Sequence, residues 1–157
     1  MWSLLHAVPT STLAQHTHSQ TQQQVQKWLP PIAELVSDPK QEVTRFVNRM
    51  TSFFRQNAFI YTLEPPVLSD DHIDQFLFET QQGFCAHYAS AAAVMLRLYG
   101  IPSRIVAGYH GGEYNPNGNY FNIYDSAAHA WVEYWVADDT GSTEGTWIRF
   151  DPTAAIA

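Results

Sequence analysis

Apolar side chains recur with a helical period in the segment that follows residue 38. The carboxylate of Asp38 can cap a first turn, and Pro39 suits the first helical position, where an N–H would have no partner. Apolar residues then recur at intervals of three and four up to a helix end near Arg55; they are Val43, Phe46, Val47, Met50, Phe53 and Phe54. This pattern predicts an amphipathic helix with one face in the core.

A second helix is predicted between residues 69 and 83. Ser69 or Asp70 can cap its first turn, and Gly83 ends the unit. Its apolar positions, which we expect to be buried, are Ile73, Phe76 and Leu77.

A third helix is predicted to start at or just before Cys85 and to run to Tyr99. Gly100 supplies the helix-ending residue, and Pro102 prevents continuation. Polar residues are scarce along this segment, so the helix is apolar on nearly every side. A helix of this kind belongs in the middle of a domain.

The rest of the chain consists of short apolar or alternating stretches separated by Gly, Asn, Pro and Asp. These stretches predict four strands, at residues 104–109, 120–124, 128–136 and 146–151. Helices first and antiparallel strands afterwards indicate an α+β fold, with the helix that begins at Cys85 packed on the sheet.

Residues 1–31 differ in composition from the rest of the chain. Lys27 is their only charged residue, six glutamines fall between Gln15 and Gln26, and two prolines close the stretch. We expect residues 1–31 to form a flexible or loosely packed arm and residues 32–157 to form one domain.

Composition excludes several classes of function. The 157 residues carry a net charge of −7 without any Lys/Arg cluster, which argues against a nucleic-acid partner. No apolar run reaches the length of about 18 residues that a membrane span needs. Cys85 is the only cysteine, so an internal disulfide and a multi-cysteine zinc site are excluded. The sequence predicts no resident metal or cofactor.

A lone cysteine can be a small buried hydrophobe, a metal ligand or a nucleophile. Cys85 follows Gly83 and Phe84 at the predicted start of a helix, where free N–H groups and the helix dipole stabilise a thiolate. Its own backbone N–H could also donate a hydrogen bond to an oxyanion. The position favours the nucleophile.

The base that a cysteine nucleophile needs is predicted to be His129. If strands 128–136 and 146–151 form a simple hairpin in which Glu133 pairs with Trp147, then His129 pairs with Asp151 on the same face. A neighbouring Asp can fix the tautomer of a His and stabilise its imidazolium. The same hairpin would bring Arg149 diagonally to Glu133 as an ion pair.

Four segments, in this order along the chain, resemble those of transglutaminase-like (papain-like cysteine) proteins. QQGFCAHYAS surrounds Cys85, and GIPSRIVAGY covers residues 100–109. HAWVE begins at His129, and DPT begins at Asp151. The resemblance spans roughly residues 70–155 and implies a transglutaminase-like core with the nucleophile at the N-terminus of a central helix. It also implies that Cys85 is the nucleophile, His129 the base and Asp151 its orienting acid.

Two further segments, YTLEPP at 61–66 and DQFLF at 74–78, resemble the bacterial TgpA-type branch. The resemblance implies an extracytoplasmic, periplasmic-side domain of an inner-membrane protein, of which this chain is a soluble fragment. The chain departs from that branch at Ala86, where Glu is usual, and at Ala127, where Asp is frequent.

These observations predict acyl transfer on a peptide or glutamine amide through a thioester, with an amine or water as acceptor. Tyr109, Tyr114 and Trp131 are candidate substrate contacts, for which packing is the competing interpretation. Gln81 or Gln82 could supply a second oxyanion donor.

Three alternatives remain open at this stage. The domain could be a catalytically weak module that binds a peptide or a cell-wall fragment. It could be a metal hydrolase using Cys85, His87 and His129, although side chains two residues apart on a helix point in different directions. It could also be another Cys-His-Asp enzyme, such as an arylamine acetyltransferase or a cell-wall peptidase.

Overall fold

The structure is a computed structural model that describes residues 18–28, 38–138 and 142–156. Its main helices surround a core against which a three-stranded antiparallel sheet packs, which confirms the predicted α+β class. The helical elements are α1 (Ser19–Trp28), α2 (Pro39–Gln56), α3 (His72–Gln75), a π-helical turn (Phe76–Thr80) and α4 (Cys85–Tyr99). Short 3-10 turns occupy Asp125–Ala127 and Pro152–Ala155.

The strands form three separate sheets. Two-residue strands β1 (Ile60–Tyr61) and β2 (Gln82–Gly83) pair in parallel, and β4 (Glu113–Asn115) and β5 (Tyr120–Asn122) form an antiparallel hairpin. The main sheet has the order β3–β6–β7; its strands are Ser103–Tyr109, Ala128–Ala137 and Gly145–Phe150.

Helix α2 follows the predicted pattern closely. Its cap, Asp38, accepts a hydrogen bond of 2.9 Å from the Lys40 N–H. Five of the six predicted apolar positions are buried, whereas Phe53 is partly buried. At the far end of α4, the Tyr99 hydroxyl donates to Glu42 Oε1 at 2.8 Å, and its ring stacks on Phe46. These contacts fix the two long helices against each other.

Helix α4 lies against the inner face of the main sheet. Val132, Tyr134 and Val136 of β6 are buried beneath it, whereas Trp131 and Glu133, which alternate with them, are less buried. Small residues on α4, including Ala89, Ala92 and Ala93, are fully or almost fully buried and allow close approach. The helix ends at Gly100, whose φ of 97° favours glycine.

Residues 18–28 differ from the loose arm that we expected over residues 1–31. They form α1, in which Thr21 and Val25 are buried, and Asp74 from α3 accepts hydrogen bonds from its first N–H groups. The rest of the predicted arm lies outside the described residues.

The β6–β7 register differs by two positions from our prediction. Glu133 pairs with Arg149 and Trp135 with Trp147, because β6 continues to Ala137, which pairs with Gly145. A two-residue shift leaves every side chain on its predicted face. The predicted direct pairing of His129 with Asp151 is therefore wrong, but the two residues still share a face.

Candidate active site

Cys85 occupies the first position of α4. Phe84 precedes it in extended conformation, so the chain turns into the helix at the cysteine, which is half-buried. The first N–H groups of a helix lack intrahelical partners and carry partial positive charge. Cys85 therefore lies where a thiolate and an oxyanion would both be stabilised.

The turn into α4 depends on Gly83 and His87. A Cβ at Gly83 would lie 2.7 Å from the Cβ of His87, which leaves room only for glycine. His87 Nδ1 accepts a hydrogen bond of 3.3 Å from the Phe84 N–H, and burial lowers the pKa of His87. A neutral His87 thus caps the helix that begins at Cys85.

His129 and Asp151 form a hydrogen bond. His129 Nε2 lies 2.7 Å from Asp151 Oδ2, and the His129 side chain is only 8% exposed. The other carboxylate oxygen, Oδ1, accepts from the Thr153 N–H at 3.1 Å and the Thr153 hydroxyl at 2.7 Å. The DPT turn thereby orients the carboxylate toward the imidazole.

The charge state of Asp151 decides the tautomer of His129. Burial works to raise the pKa of Asp151, but hydrogen bonds from Thr153 and His129, with the charge of His129, outweigh it and lower that pKa. An ionised carboxylate only accepts hydrogen bonds, so Nε2 of His129 carries the hydrogen. In the neutral ring, Nδ1 is then the basic nitrogen.

Tyr61 is a candidate site residue that sequence reasoning did not single out. It pairs with Gly83 across the β1–β2 sheet, and its ring stacks on Tyr88, one turn into α4. Burial raises the pKa of the Tyr61 phenol; the Cys85 N–H opposes this, while the Cys85 thiol and the charge of Asp151 raise it further. Pairing with Gly83, two residues before Cys85, therefore places Tyr61 close to the start of α4.

His110 is a second residue that sequence reasoning did not find. It follows β3, and its ring centroid lies 4.0 Å from that of His129. Its Nε2 lies 3.7 Å from Asp151 Oδ2, and its side chain is 51% exposed. Pairing of Gly108 with His129 brings it there, and that pairing could have been found only by aligning β3 against β6.

The three candidate substrate contacts lie in different surroundings. The Trp131 ring lies nearly parallel to the His129 ring, with their centroids 6.4 Å apart, and the Arg149 guanidinium lies over the Trp131 ring, 4.2 Å from its centroid. Tyr109 is exposed at the end of β3, and the Tyr114 hydroxyl donates to Asn119 within the β4–β5 hairpin. Their part in substrate binding stays a prediction.

The structure also gives the partners of Glu133 and Gln81. Glu133 forms its ion pair with Arg104, at 2.7 Å, and not with Arg149. The side-chain amide of Gln81 donates to Leu77 O at 3.3 Å, within the π-helical turn. That bond uses one of the two amide hydrogens, and the role of Gln81 or Gln82 as a second oxyanion donor stays a prediction.

Two groups of three metal-ligating side chains occur within the described residues. One is His110, His129 and Asp151, and the other is His18, Asp71 and Asp74. Neither contains Cys85 or His87, so the geometry does not favour the metal hydrolase built on that cysteine.

The profile of the Transglutaminase-like superfamily matches residues 30–152. The chain belongs to this superfamily. The structure agrees: it matches the periplasmic domain of TgpA from Pseudomonas aeruginosa bound to ethylmercury, with a TM-score of 0.68 and 40% identity. That match covers 87% of this chain and 44% of the solved one. A second structure of the same periplasmic domain gives a TM-score of 0.61 at 38% identity, over 87% of this chain and 48% of that one.

Two curated relatives are similar in sequence to about two thirds of this chain. Protein-glutamine gamma-glutamyltransferase of Pseudomonas aeruginosa is 52% identical over 104 residues, which are 66% of this chain and 15% of that protein. The uncharacterized protein YebA of Bacillus subtilis is 40% identical over 114 residues, which are 68% of this chain and 15% of that protein. The chain thus spans about 15% of the length of these relatives.

The comparisons confirm the family and the fold that the four segments indicated, and the TgpA-type branch that the two further segments indicated. A transferase among the relatives supports an enzyme. Among the described residues, no helix combines the length and apolar character that crossing a membrane requires.

Proposed function

We propose that this domain transfers acyl groups from glutamine amides through a thioester on Cys85. The observation that carries the proposal is the hydrogen bond of 2.7 Å between His129 Nε2 and Asp151 Oδ2. It leaves Nδ1 of His129 to take the thiol proton, while the α4 N-terminus stabilises the thiolate. Asp151 holds the ring and stabilises the imidazolium that results.

The reaction balances with these groups alone. Cys85 Sγ bonds to the amide carbon of the glutamine side chain, the C–N bond breaks, and ammonia leaves with the proton from His129. A primary amine then displaces the sulfur and gives a cross-link, or water displaces it and gives glutamate.

The tetrahedral intermediate needs hydrogen-bond donors for its oxyanion. The Cys85 N–H is one, and we assign the second to the Tyr61 hydroxyl. Support comes from the β1–β2 pairing, which holds Tyr61 beside the residues that precede Cys85. A phenol keeps its proton at neutral pH, so the hydroxyl can donate it to an oxyanion.

A protein or peptide supplies the glutamine in this proposal. The name of the Pseudomonas relative, a protein-glutamine gamma-glutamyltransferase, supports that substrate class. Trp131, Tyr109 and Tyr114 would contact the peptide beside the reacting amide. Likeness to a periplasmic domain supports action in the cell envelope, as a part of a longer membrane protein.

Incorporation of a fluorescent primary amine into a glutamine-bearing peptide tests the proposal. We expect the wild-type protein to incorporate the amine, and we expect no incorporation above background for Cys85→Ala. Ser90→Ala, in the same helix, controls for disturbance of α4. Turnover by Cys85→Ala at the wild-type rate would overturn the mechanism. Intact-protein mass spectrometry without an amine should show the acyl adduct on wild type only.

A further inference from the structure

Three metal-ligating atoms converge beside the proposed catalytic ring. Asp151 Oδ2 lies 2.7 Å from His129 Nε2 and 3.7 Å from His110 Nε2, and all three atoms lie within 4.8 Å of one another. Two imidazole nitrogens and one carboxylate oxygen form the donor set of zinc sites that retain an open position. The proposed acyl transfer does not use His110.

The spacing suits a tetrahedral ion. Zinc bonds of about 2.1 Å place ligand atoms about 3.4 Å apart. The pair at 2.7 Å must therefore open by about 0.7 Å and the pair at 3.7 Å close by about 0.3 Å, while the two imidazole nitrogens, which lie within 4.8 Å of each other, must close by about 1.4 Å at most. His110 is half exposed and can move, while its backbone N–H is held by Ala127 O at 2.8 Å. Thr153 holds the opposite oxygen of Asp151, as an outer-shell partner would.

We propose that His110, His129 and Asp151 form an inhibitory binding site for zinc. The proposal deepens the acyl-transfer function and rests on it for the inhibition. Zinc on Nε2 of a neutral imidazole requires the ring proton to move to Nδ1. His129 then has no lone pair for the Cys85 thiol, and its hydrogen bond to Asp151 is replaced by metal bonds. Zinc therefore stops the reaction without touching the sulfur.

The second three-residue group, His18, Asp71 and Asp74, is less available to a metal ion. Both oxygens of Asp74 already accept backbone hydrogen bonds, from the Gln20 and Thr21 N–H groups. These bonds account for that cluster as a helix cap.

Zinc binding is measured first without catalysis. In untagged Cys85→Ser protein, where no thiolate competes for the metal, calorimetric titration with zinc chloride should show binding that His110→Gln weakens at least about tenfold. His72→Gln, a substitution at an exposed histidine outside both groups, should leave the affinity unchanged. Equal affinity in the presence and absence of His110 would overturn the site.

Inhibition is then measured in protein that retains Cys85. Zinc should inhibit amine incorporation, and His110→Gln should need at least about ten times more zinc for half inhibition, with each variant normalised to its own metal-free rate. Magnesium, which prefers all-oxygen ligands, should not inhibit. Identical zinc sensitivity of the two proteins would overturn the proposal. Absence of turnover without metal would overturn the acyl-transfer function alone, because the calorimetric result stands by itself.

Discussion

The carboxylate of Asp74 caps the N-terminus of α1 by accepting hydrogen bonds from Thr21, which lies 53 residues earlier in the chain. Oδ1 accepts hydrogen bonds from the Thr21 N–H, at 3.0 Å, and from its hydroxyl, while Oδ2 accepts from the Gln20 N–H at 2.8 Å. Asp74 is 3% exposed and Thr21 is fully buried. A buried carboxylate is stable only with such partners, so α1 and α3 depend on each other.

Asp74→Asn should therefore destabilise the protein. An amide accepts through one oxygen only, so the N–H of Gln20 or that of Thr21 loses its partner, and the free energy of unfolding should fall by about 1–3 kcal/mol. Urea denaturation followed by circular dichroism measures the change. Asp70→Asn, at an exposed neighbouring position, should have little effect. An unchanged midpoint for Asp74→Asn would refute the capping role.

Asp151→Asn should reduce kcat by about 10²- to 10⁴-fold. The neutral amide cannot stabilise the imidazolium of His129, and its NH₂ can donate to Nε2, which would force the ring proton onto Nδ1. Steady-state amine incorporation gives kcat, and Asp125→Asn in the exposed turn before β6 is the matched control. A kcat close to wild type for Asp151→Asn would count against its proposed role.

Tyr61→Phe tests the second oxyanion donor. Loss of the hydroxyl should lower kcat by about 10²-fold while KM changes little, because the donor acts on the tetrahedral intermediate. The ring that stacks on Tyr88 remains, so the fold should be kept. Tyr124→Phe, remote from Cys85 in sequence and exposed, serves as control. A rise in KM without a fall in kcat would assign Tyr61 to substrate binding instead.

Tyr88→Phe should make the protein less sensitive to alkali. Burial, with a smaller effect of Tyr61, raises the pKa of Tyr88 to about 12, and its hydroxyl has no hydrogen-bond partner among the described residues. In the unfolded chain this phenol ionises near its ordinary pKa of 10.0, so its share of stability is complete below that pH and is lost as pH rises towards 12.

Chemical denaturation across that range checks the expectation. The free energy of unfolding of wild type should fall more steeply between pH 10 and 12 than that of Tyr88→Phe. At neutral pH the substitution should be neutral or slightly stabilising, since it removes an unpaired buried hydroxyl. Parallel alkaline losses in the two proteins would contradict the raised pKa.

Local signals carried most of the fold prediction. The bounds of α2 and α4 follow from caps, an apolar stripe and a glycine stop, which act within a few residues. The register of β6 with β7 was missed by two positions because it depends on where the connecting turn begins. The alternation of side chains still gave the correct faces, and hence the neighbourhood of His129 and Asp151.

Residues brought in from a distance were not predictable. Tyr61 reaches Cys85 through a parallel pair of two-residue strands, which leave no periodic pattern. His110 depends on how β3 aligns with β6, and α1 depends on a cap supplied by Asp74. Each is a tertiary contact between segments whose own sequences say nothing about the partner.

Residues 60–62 form a short surface strip in which Ile60 and Tyr61 are exposed. Hydrogen bonds of 2.8 Å from Ile60 and Thr62 to Gln81 and Gly83 tie it to the chain just ahead of the nucleophile. Such a short surface pairing opens at a lower free energy than the packed helices. Mild denaturant should therefore abolish the proposed acyl transfer before the protein unfolds, and a ligand that binds residues 60–62 should slow the proposed turnover.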